Sequence, residues 1–233
     1  MKILALESSA VTASVAVSED GKIIESEFVN NGLTHSQTLL PMVKRVLDKA
    51  NLSVKDIDLF AVTNGPGSFT GVRIGVCAVK GLAFGENKAC IGISTLEAIA
   101  ENLADEDCIC VSCMDARRSQ IYTATFECGG GEIKRLTPDE ALAIESIADR
   151  LNSYNKRVYL AGDGAKLAYG ILKEKCENVY LPSEDKIYQN ACSVCFVANK
   201  KSDTAQASEK LVPLYLRLSQ AERELKKCTG EEK

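Results

Sequence analysis

The chain has 233 residues, of which 45% are hydrophobic and 26% are charged, a composition typical of a globular protein with one large domain or two small ones. Its 28 basic and 32 acidic residues give a net charge of −4, which argues against an autonomous nucleic-acid-binding protein. The apolar runs are too short for a membrane span or a signal peptide, so we expect a cytoplasmic protein whose ten cysteines are reduced and buried.

The first hundred residues predict alternating strands and helices. Residues 2–8 form the first strand, and the turn Asp20-Gly21 joins strands at 12–18 and 22–29 into a hairpin. Apolar residues at helical spacing between 35 and 50 predict an amphipathic helix. A strand at 58–64, a glycine-rich helix at 70–84, a strand at 90–94 and a helix at 96–104 follow.

The segment from Asn64 to Gly75 is the most informative part of the chain. It leaves an apolar strand, crosses a Gly-Pro-Gly turn and enters the glycine-rich helix, which carries glycine at 71, 75 and 81. Each interior glycine destabilises a helix by about 1 kcal/mol relative to alanine. We therefore expect that another group approaches this backbone closely, and a second helix, a phosphate and another subunit are the candidates.

A similar order of elements begins again at residue 105. A strand at 108–114 ends at Asp115, as the first strand ends at Glu7, and a hairpin follows each acid. The second hairpin has strands at 120–126 and 132–136, and Pro138 is predicted to begin a helix. The remaining predictions are a strand at 157–160, a Gly-Asp-Gly turn into a helix at 165–176, a helix over 187–201 and extended chain over 212–218.

We therefore predict an α/β fold with two similar halves, each a mixed sheet with helices. The first half covers 1–104 and the second covers 105–220, with a C-terminal segment that returns to the first half and a charged tail at 221–233. This order of elements resembles the actin, sugar-kinase and heat-shock ATPase fold. The segments 64–75 and 35–43, supported by 114–117 and 213–217, resemble the TsaB (YeaZ) family over about residues 1–220.

This resemblance implies a bacterial subunit of the machinery that makes threonylcarbamoyladenosine next to the anticodon of certain tRNAs. Members of the family bind the catalytic paralogue TsaD as a required, non-catalytic partner, and the ATPase TsaE joins the assembly. The resemblance also implies a homodimer when the chain is alone and contact with tRNA only through the complex. It implies no cofactor required by this chain, and it leaves ATP or ADP open as a ligand of the complex.

The resemblance places the partner interface on the first helix and the glycine-rich helix, which in the family pack against the same two helices of TsaD. Small residues on the glycine-rich helix allow close approach of another helix, although both apolar stripes also suit packing inward against the sheet. The interface prediction comprises His35, Leu39, Val43, Val46, Gly71, Arg73, Gly75, Ala78 and Leu82.

The sequence does not predict a catalytic or metal centre. TsaD carries two histidines four residues apart on the first helix, which places both on one face and allows them to bind one cation. Here His35 is the only histidine, and Leu39 occupies the second position. A metal-dependent, glycoprotease-like peptidase is therefore the weakest alternative, and we predict no catalytic residues.

A small-molecule kinase or ATPase of the same fold is the stronger alternative. In this fold class each hairpin can hold phosphates, and an acid at the end of the first strand can orient a metal or a water. The first hairpin turn here lacks glycine, which makes backbone approach to a phosphate poorer. For phosphate of tRNA held by the complex, the basic candidates are Lys44, Arg45, Arg117 and Arg118, for which solvated surface is the alternative. The nucleotide or phosphate prediction comprises Glu7, Ser8, Asp115, Arg117, Gly162 and Gly164.

Overall fold

A computed structural model describes residues 1–30 and 34–217 of the chain. Leu218, at the end of the predicted extended segment, and the charged tail at 221–233 lie outside the described residues. The elements of the first half are β1 (Lys2–Glu7), β2 (Ala13–Glu19), β3 (Lys22–Val29), α1 (His35–Lys49), β4 (Leu59–Gly65), α2 (Phe69–Gly85), β5 (Ala89–Ser94) and α3 (Thr95–Glu101). The elements that follow are β6 (Cys108–Asp115), β7 (Gln120–Gly129), β8 (Glu132–Arg135), β9 (Glu140–Ala143), α4 (Ala148–Asn152), β10 (Val158–Ala161), α5 (Ala165–Leu172), β11 (Val179–Tyr180), α6 (Glu184–Ile187) and α7 (Ala191–Lys200).

The first sheet has the strand order β3-β2-β1-β4-β5. The hairpin pairs β1, β2 and β3 antiparallel, whereas β1, β4 and β5 pair in parallel, which gives the mixed sheet that the sequence predicts. Because both faces of the sheet are covered, β4 is buried along its whole length. The helices α1 and α2 pack on one face and α7 packs on the other.

The second sheet repeats this plan with the order β11-β10-β6-β7-β8, and β9 pairs with β7. The strands β6 and β7 pair antiparallel over eight positions, and β6 and β10 pair in parallel. The carboxyl ends of β1 and β6 therefore occupy equivalent places in the two halves, and each carries an acid there, Glu7 and Asp115. The α/β class with two mixed sheets is confirmed.

Three predicted elements differ from the structure. The helix predicted after Pro138 is wrong, because residues 140–143 form β9 along the start of β7. The helix predicted at 165–176 ends at Leu172. The helix predicted over 187–201 is two elements, since Tyr188–Asn190 is extended and the Asn190 side chain accepts a hydrogen bond from the Ser193 N–H at the start of α7.

Residues 211–217 form an extended segment that we call the strap. Within the described residues the strap is not itself a strand, but Leu214 N donates to Asn64 O near the end of β4 at 2.7 Å. Asn64 Nδ2 in turn donates to the carbonyl of Val212 at 3.1 Å. Because α7 and the start of the strap pack on the first half, the chain after residue 190 returns to the first sheet. The division of the chain into two domains at residue 104 stays a prediction.

No helix in the described ranges is both long and apolar enough to cross a membrane.

Candidate functional site

The glycine-rich helix α2 begins directly after β4, and Ser68 Oγ caps it by accepting the Gly71 N–H. Two of its glycines face the end of β1 in the same chain. A Cβ at Gly71 would lie 2.1 Å from Ser8 O, and a Cβ at Gly75 would lie 2.5 Å from Ser8 Oγ. Ser8 Oγ also donates to Gly71 O at 2.9 Å, so these glycines let α2 lie against the loop after β1.

Five residues of the predicted partner interface therefore lie inside the monomer, which corrects their expected placement on a surface. Gly71 and Gly75 are buried against Ser8. On α1 the side chains of Leu39, Val43 and Val46 are also buried, because they pack with α2 and the first sheet. The inward packing that the sequence left open is the one that forms.

The outward stripe of α2 consists of residues 73, 77, 81 and 84, which recur at steps of four, four and three. We define it as Arg73, Cys77, Gly81 and Phe84; all four are exposed, and Phe84 is 71% accessible. A Cβ at Gly81 would meet nothing within 4 Å. Half-buried Ala78 and Leu82 flank the stripe, and Leu40 of the neighbouring helix α1 is 52% exposed. The exposed Cys77 is also contrary to the expectation that the cysteines are buried.

His35 lies at the start of α1 and fixes the loop after β1. Its Nε2 is 2.6 Å from the carbonyl oxygen of Ala10, and because a carbonyl only accepts, Nε2 carries the proton. Its ring also lies beside Gly71. The described chain contains no group of three or more histidine, cysteine, aspartate or glutamate side chains arranged to hold a metal ion. The contacts of His35 are therefore structural ones within the monomer.

A cleft of about 590 Å³ lies between the two halves, where the carboxyl ends of β1 and β6 face each other. Its walls include side chains of the loop after β1, the start of α2, the β6–β7 turn and the strap. The lining residues include Ser9, Phe69, Asp115, Arg117, Tyr122, Asp163, Tyr215 and Arg217.

Glu7 is fully buried beneath the cleft. One carboxylate oxygen accepts hydrogen bonds from Ser9 N at 2.8 Å, from Ser9 Oγ and from Thr63 Oγ1 at 3.2 Å. The other oxygen has no partner among the described residues. Burial, together with the charge of Asp163, raises the pKa of Glu7 to about 7 against the opposing effect of these hydrogen bonds. The carboxyl therefore exchanges a proton near neutral pH.

Asp163 is the second carboxyl at the cleft whose pKa is raised above its ordinary value. Burial, and then the charge of Asp115, raises its pKa to about 6. Asp115 itself accepts from Arg117 N at 2.7 Å and pairs with the Arg117 guanidinium at 3.3 Å. The sequence contains the Gly-Asp-Gly turn, but only the fold brings its aspartate to Asp115.

The predicted glycines beside Asp163 pack against β6. A Cβ at Gly162 would lie 2.2 Å from Cys113 O, and one at Gly164 would lie 2.9 Å from Asp115 N. These glycines therefore allow the turn before α5 to meet the end of β6. The close contact with β6 is sufficient to explain why both positions are glycine, and no bound phosphate is needed for that explanation.

The strap crosses the mouth of the cleft and contacts both halves. The Tyr215 ring stacks on Phe69 with their centroids 4.6 Å apart, and its hydroxyl accepts from Arg73 Nε at 2.7 Å. At the other end, Arg217 Nη1 donates to Ala116 O at 3.4 Å, and its guanidinium carbon lies 5.6 Å from the Tyr122 ring. Sequence reasoning missed these contacts, because the aromatic and arginine partners are far apart in the chain.

Comparison with known proteins agrees with this architecture. The family model for TsaD, described as tRNA N6-adenosine threonylcarbamoyltransferase, matches residues 31–225. The tRNA threonylcarbamoyladenosine biosynthesis protein TsaB of Escherichia coli (strain K12) is 31% identical over 240 residues, which cover 100% of both chains. The chain belongs to the TsaB family.

Solved structures support the same assignment. YeaZ from Pseudomonas aeruginosa superposes with a TM-score of 0.79 at 26% identity, covering 92% of this chain and 99% of that one. Component A of the (R)-2-hydroxyglutaryl-CoA dehydratase of Acidaminococcus fermentans superposes with a TM-score of 0.51 at 12% identity, covering 88% and 100%. The second likeness shows the shared fold alone, whereas the first is to a protein named YeaZ.

Proposed function

We propose that this chain is a non-catalytic subunit required for threonylcarbamoyl transfer to tRNA and that it acts by binding TsaD. Membership of the TsaB family supports the process, because the Escherichia coli relative is named for tRNA threonylcarbamoyladenosine biosynthesis. The chain supplies a protein surface, and the chemistry belongs to the partner. TsaE and tRNA join through that complex.

The observation that carries the proposal is the outward stripe of α2. Monomeric proteins seldom leave a continuous apolar helix face uncovered without an interaction in view. Here Cys77, Gly81 and Phe84 are exposed together, and the space above Gly81 is empty. Small residues on a helix face allow another helix to approach closely, so this stripe suits a helical partner. A second copy of the chain uses the same stripe when TsaD is absent.

A pair of matched variants tests this face. In Gly81→Arg a long charged side chain projects from the stripe, and we expect TsaD binding to weaken at least about tenfold. Gly170→Arg on α5 is the control, because Gly170 is also an exposed helical glycine with nothing within 4 Å of its Cβ position. Isothermal titration against purified TsaD measures both variants. Unchanged binding by Gly81→Arg would reject the stripe as the interface.

A second experiment tests the process rather than the surface. Nucleoside mass spectrometry of tRNA from cells depleted of the chain is expected to show loss of threonylcarbamoyladenosine. The wild type and Gly170→Arg are expected to restore the nucleoside, whereas Gly81→Arg is not. Normal modification in the depleted cells would contradict the proposal.

An ATPase or small-molecule kinase is the second candidate, and the acidic cleft is the observation that favours it. Asp115 and Asp163 line one cavity and Glu7 is buried beneath it, and the pKa values of Glu7 and Asp163 are raised, as is common at functional sites. Steady ATP hydrolysis by the purified chain, abolished in Asp163→Asn, would favour this candidate and contradict a non-catalytic subunit.

A further inference from the structure

Four arginines lie in or next to the cleft: Arg117 and Arg217 line it, Arg118 follows Arg117 in the chain, and Arg73 contacts Tyr215 of the lining. Arg73 lies on α2, Arg117 and Arg118 lie at the turn between β6 and β7, and Arg217 ends the strap. The Arg117 side chain is 84% exposed, and Arg73 and Arg118 are also exposed. The whole chain has a net charge of −4, so its average composition does not account for this local concentration of positive charge.

Three of these arginines make no ion pair within the described parts of the chain, namely Arg73, Arg118 and Arg217. The fourth, Arg117, pairs with Asp115 at 3.3 Å. Of the four arginines elsewhere in the described chain, three lie against a carboxylate, and Arg157 is the exception. Arg73, Arg118 and Arg217 therefore retain positive charge that no ion pair within the described residues neutralises.

Aromatic rings and neutral oxygens hold two of the guanidinium groups in place. The Arg73 guanidinium carbon lies 3.7 Å from the centre of the Phe69 ring, and its Nε donates to the Tyr215 hydroxyl. Arg217 is held by the Ala116 carbonyl and lies over Tyr122. These contacts restrict the side chains without neutralising their charge, which reduces the entropy lost when an anion binds.

The extent of the array indicates a ligand with several phosphates in a row. Arg73 touches Tyr215, which lies two residues from Arg217, and Arg217 touches Ala116, which lies two residues from Arg118. Arg73, Arg118 and Arg217 thus belong to three separate segments, namely α2, the β6–β7 turn and the strap, so a ligand that contacts more than one of them extends across the mouth. Arg118 is the third arginine along this path that has no acidic partner.

The acidic floor of the cleft decides where such a ligand lies. Asp115 and Asp163 line the interior, and Glu7 lies beneath them. Without a bound cation these carboxylates repel a polyphosphate that enters the cavity, whereas the arginines attract one that lies across the mouth. A nucleic-acid backbone, which presents phosphates in sequence and need not enter, fits this distribution of charge.

We propose that Arg117, Arg118 and Arg217 bind the phosphodiester backbone of RNA and are the surface by which this chain helps to hold tRNA in the complex, whereas Arg73 belongs to the outward stripe assigned to TsaD. The inference rests on the proposed function, since the bulk charge of −4 makes the chain a weak RNA binder unless a partner adds further contacts. The arginines supply charge and position, and they do not read sequence, because phosphate contacts carry no base information.

The test uses three variants at the cleft mouth: Arg118→Gln, Arg217→Gln and the double variant that carries both. Each is compared with Arg157→Gln. Arg157 is a matched control: it is exposed, has no acidic partner among the described residues, and lies 5.2 Å from the Tyr180 ring. It lies beside the start of β6, about six residues or 20 Å from Asp115 at the other end of that strand. Each single variant thus removes one charge, either at the cleft mouth or far from it, and the double variant removes two.

Fluorescence anisotropy of a labelled, unmodified tRNA transcript measures binding to the complex of the chain with TsaD at 50, 100 and 200 mM salt. We expect the double variant to bind on the order of fivefold more weakly, with the salt slope reduced by about 1 for each phosphate that is no longer bound. Arg157→Gln is expected to stay within about twofold of the wild type. Replacing both arginines with lysine is expected to restore most of the slope, because lysine keeps the charge.

Parallel titration against TsaD separates this inference from the proposed function. Weaker tRNA binding with TsaD binding intact supports the arginine surface. An unchanged affinity and salt slope overturn it, and so does a loss of TsaD binding in the double variant, which would assign these arginines to a protein contact. If the wild type fails to bind TsaD, the proposed function fails. In that case tRNA binding is titrated against the chain without TsaD. Identical salt slopes for the wild type and the double variant would then overturn the arginine surface.

Discussion

Two glycines of α2 differ in what their missing side chains allow, and alanine substitution makes this difference measurable. Gly75 and Gly81 both lie within the helix, and neither has a positive φ. A Cβ at Gly75 would lie 2.5 Å from Ser8 Oγ and 3.1 Å from a methyl group of Val62, whereas a Cβ at Gly81 meets nothing within 4 Å. The same substitution therefore tests intramolecular packing at one position and helix propensity alone at the other.

The expected free energies of unfolding follow from these contacts. Both substitutions gain about 1 kcal/mol, because alanine is the better helix former. At Gly81 nothing opposes this gain, so we expect the chain to become about 1 kcal/mol more stable. At Gly75 overpacking costs about 1–3 kcal/mol, and turning Ser8 away loses its hydrogen bond to Gly71 O, which costs about 1 kcal/mol more. We therefore expect a net loss of about 1–3 kcal/mol.

Urea unfolding followed by circular dichroism measures both changes, and thermal unfolding gives an independent value. For a chain of this length, each kcal/mol is expected to move Tm by about 2–4 °C. Gly71→Ala extends the series, because its Cβ would meet the backbone oxygen of Ser8 at 2.1 Å and no side-chain rotation relieves that clash. We expect this variant to be the least stable of the three.

A double-mutant cycle with Ser8→Ala identifies the group responsible. Removing Ser8 Oγ leaves Val62 as the nearest contact at Gly75, so Gly75→Ala is expected to cost less in the Ser8→Ala background. If Gly75→Ala and Gly81→Ala change stability equally, or if the cycle shows no coupling, the glycine at 75 is not required by packing against the loop after β1.

The remaining predictions concern a buried acid, the strap and a helix cap. The pKa of Glu7 is about 7 in the fold against 4.5 when exposed, so the folded chain binds more protons and its stability falls as pH rises from about 4.5 through 7. This loss amounts to about 3 kcal/mol, and Glu7→Gln is expected to remove it when urea unfolding is compared at pH 5 and pH 8. Tyr215→Ala removes a ring stack and a hydrogen bond, so hydrogen exchange of the Leu214 amide is expected to rise about tenfold; an unchanged rate would contradict a strap held by that ring. Asn190→Ala is expected to lower stability by about 1 kcal/mol, whereas Ser183→Ala, which makes no cap hydrogen bond, should have no comparable effect in thermal unfolding.

Local patterns predicted the parts of the fold that depend on local physics. The turn at Asp20-Gly21, the buried strand before Pro66 and the amphipathic helix α1 all formed as expected. Pro138 misled the prediction, because its preference for a first helical turn was outweighed when residues 140–143 paired with the free edge at the start of β7. The strap was not recognised as a contact between the halves, since its partners are more than a hundred residues away.

The sequence predicted which residues belong to the candidate site, but not whether each of them faces the interior of the monomer or its surface. Helical spacing places Gly71 and Gly75 on one face, but spacing alone does not say whether that face meets the sheet or a partner. Tertiary structure decides, because the loop at Ser8 fills the space above both glycines. Glu7 and Asp115 were found from the repeated order of strand, acid and hairpin, whereas Asp163 joins them only through the fold.

The glycines of α2 therefore have separable physical roles, and this separation bears on how partner binding must be tested. Gly71 and Gly75 set the depth at which α2 lies against β1, so substituting either one changes the fold before it changes any surface. Gly81 leaves empty space on the outside, and filling that space changes the surface at no cost to the fold. A loss of TsaD binding in a Gly75 variant would thus carry no information about the interface. The same loss in a Gly81 variant that unfolds at or above the wild-type temperature would locate the interface on the outward stripe.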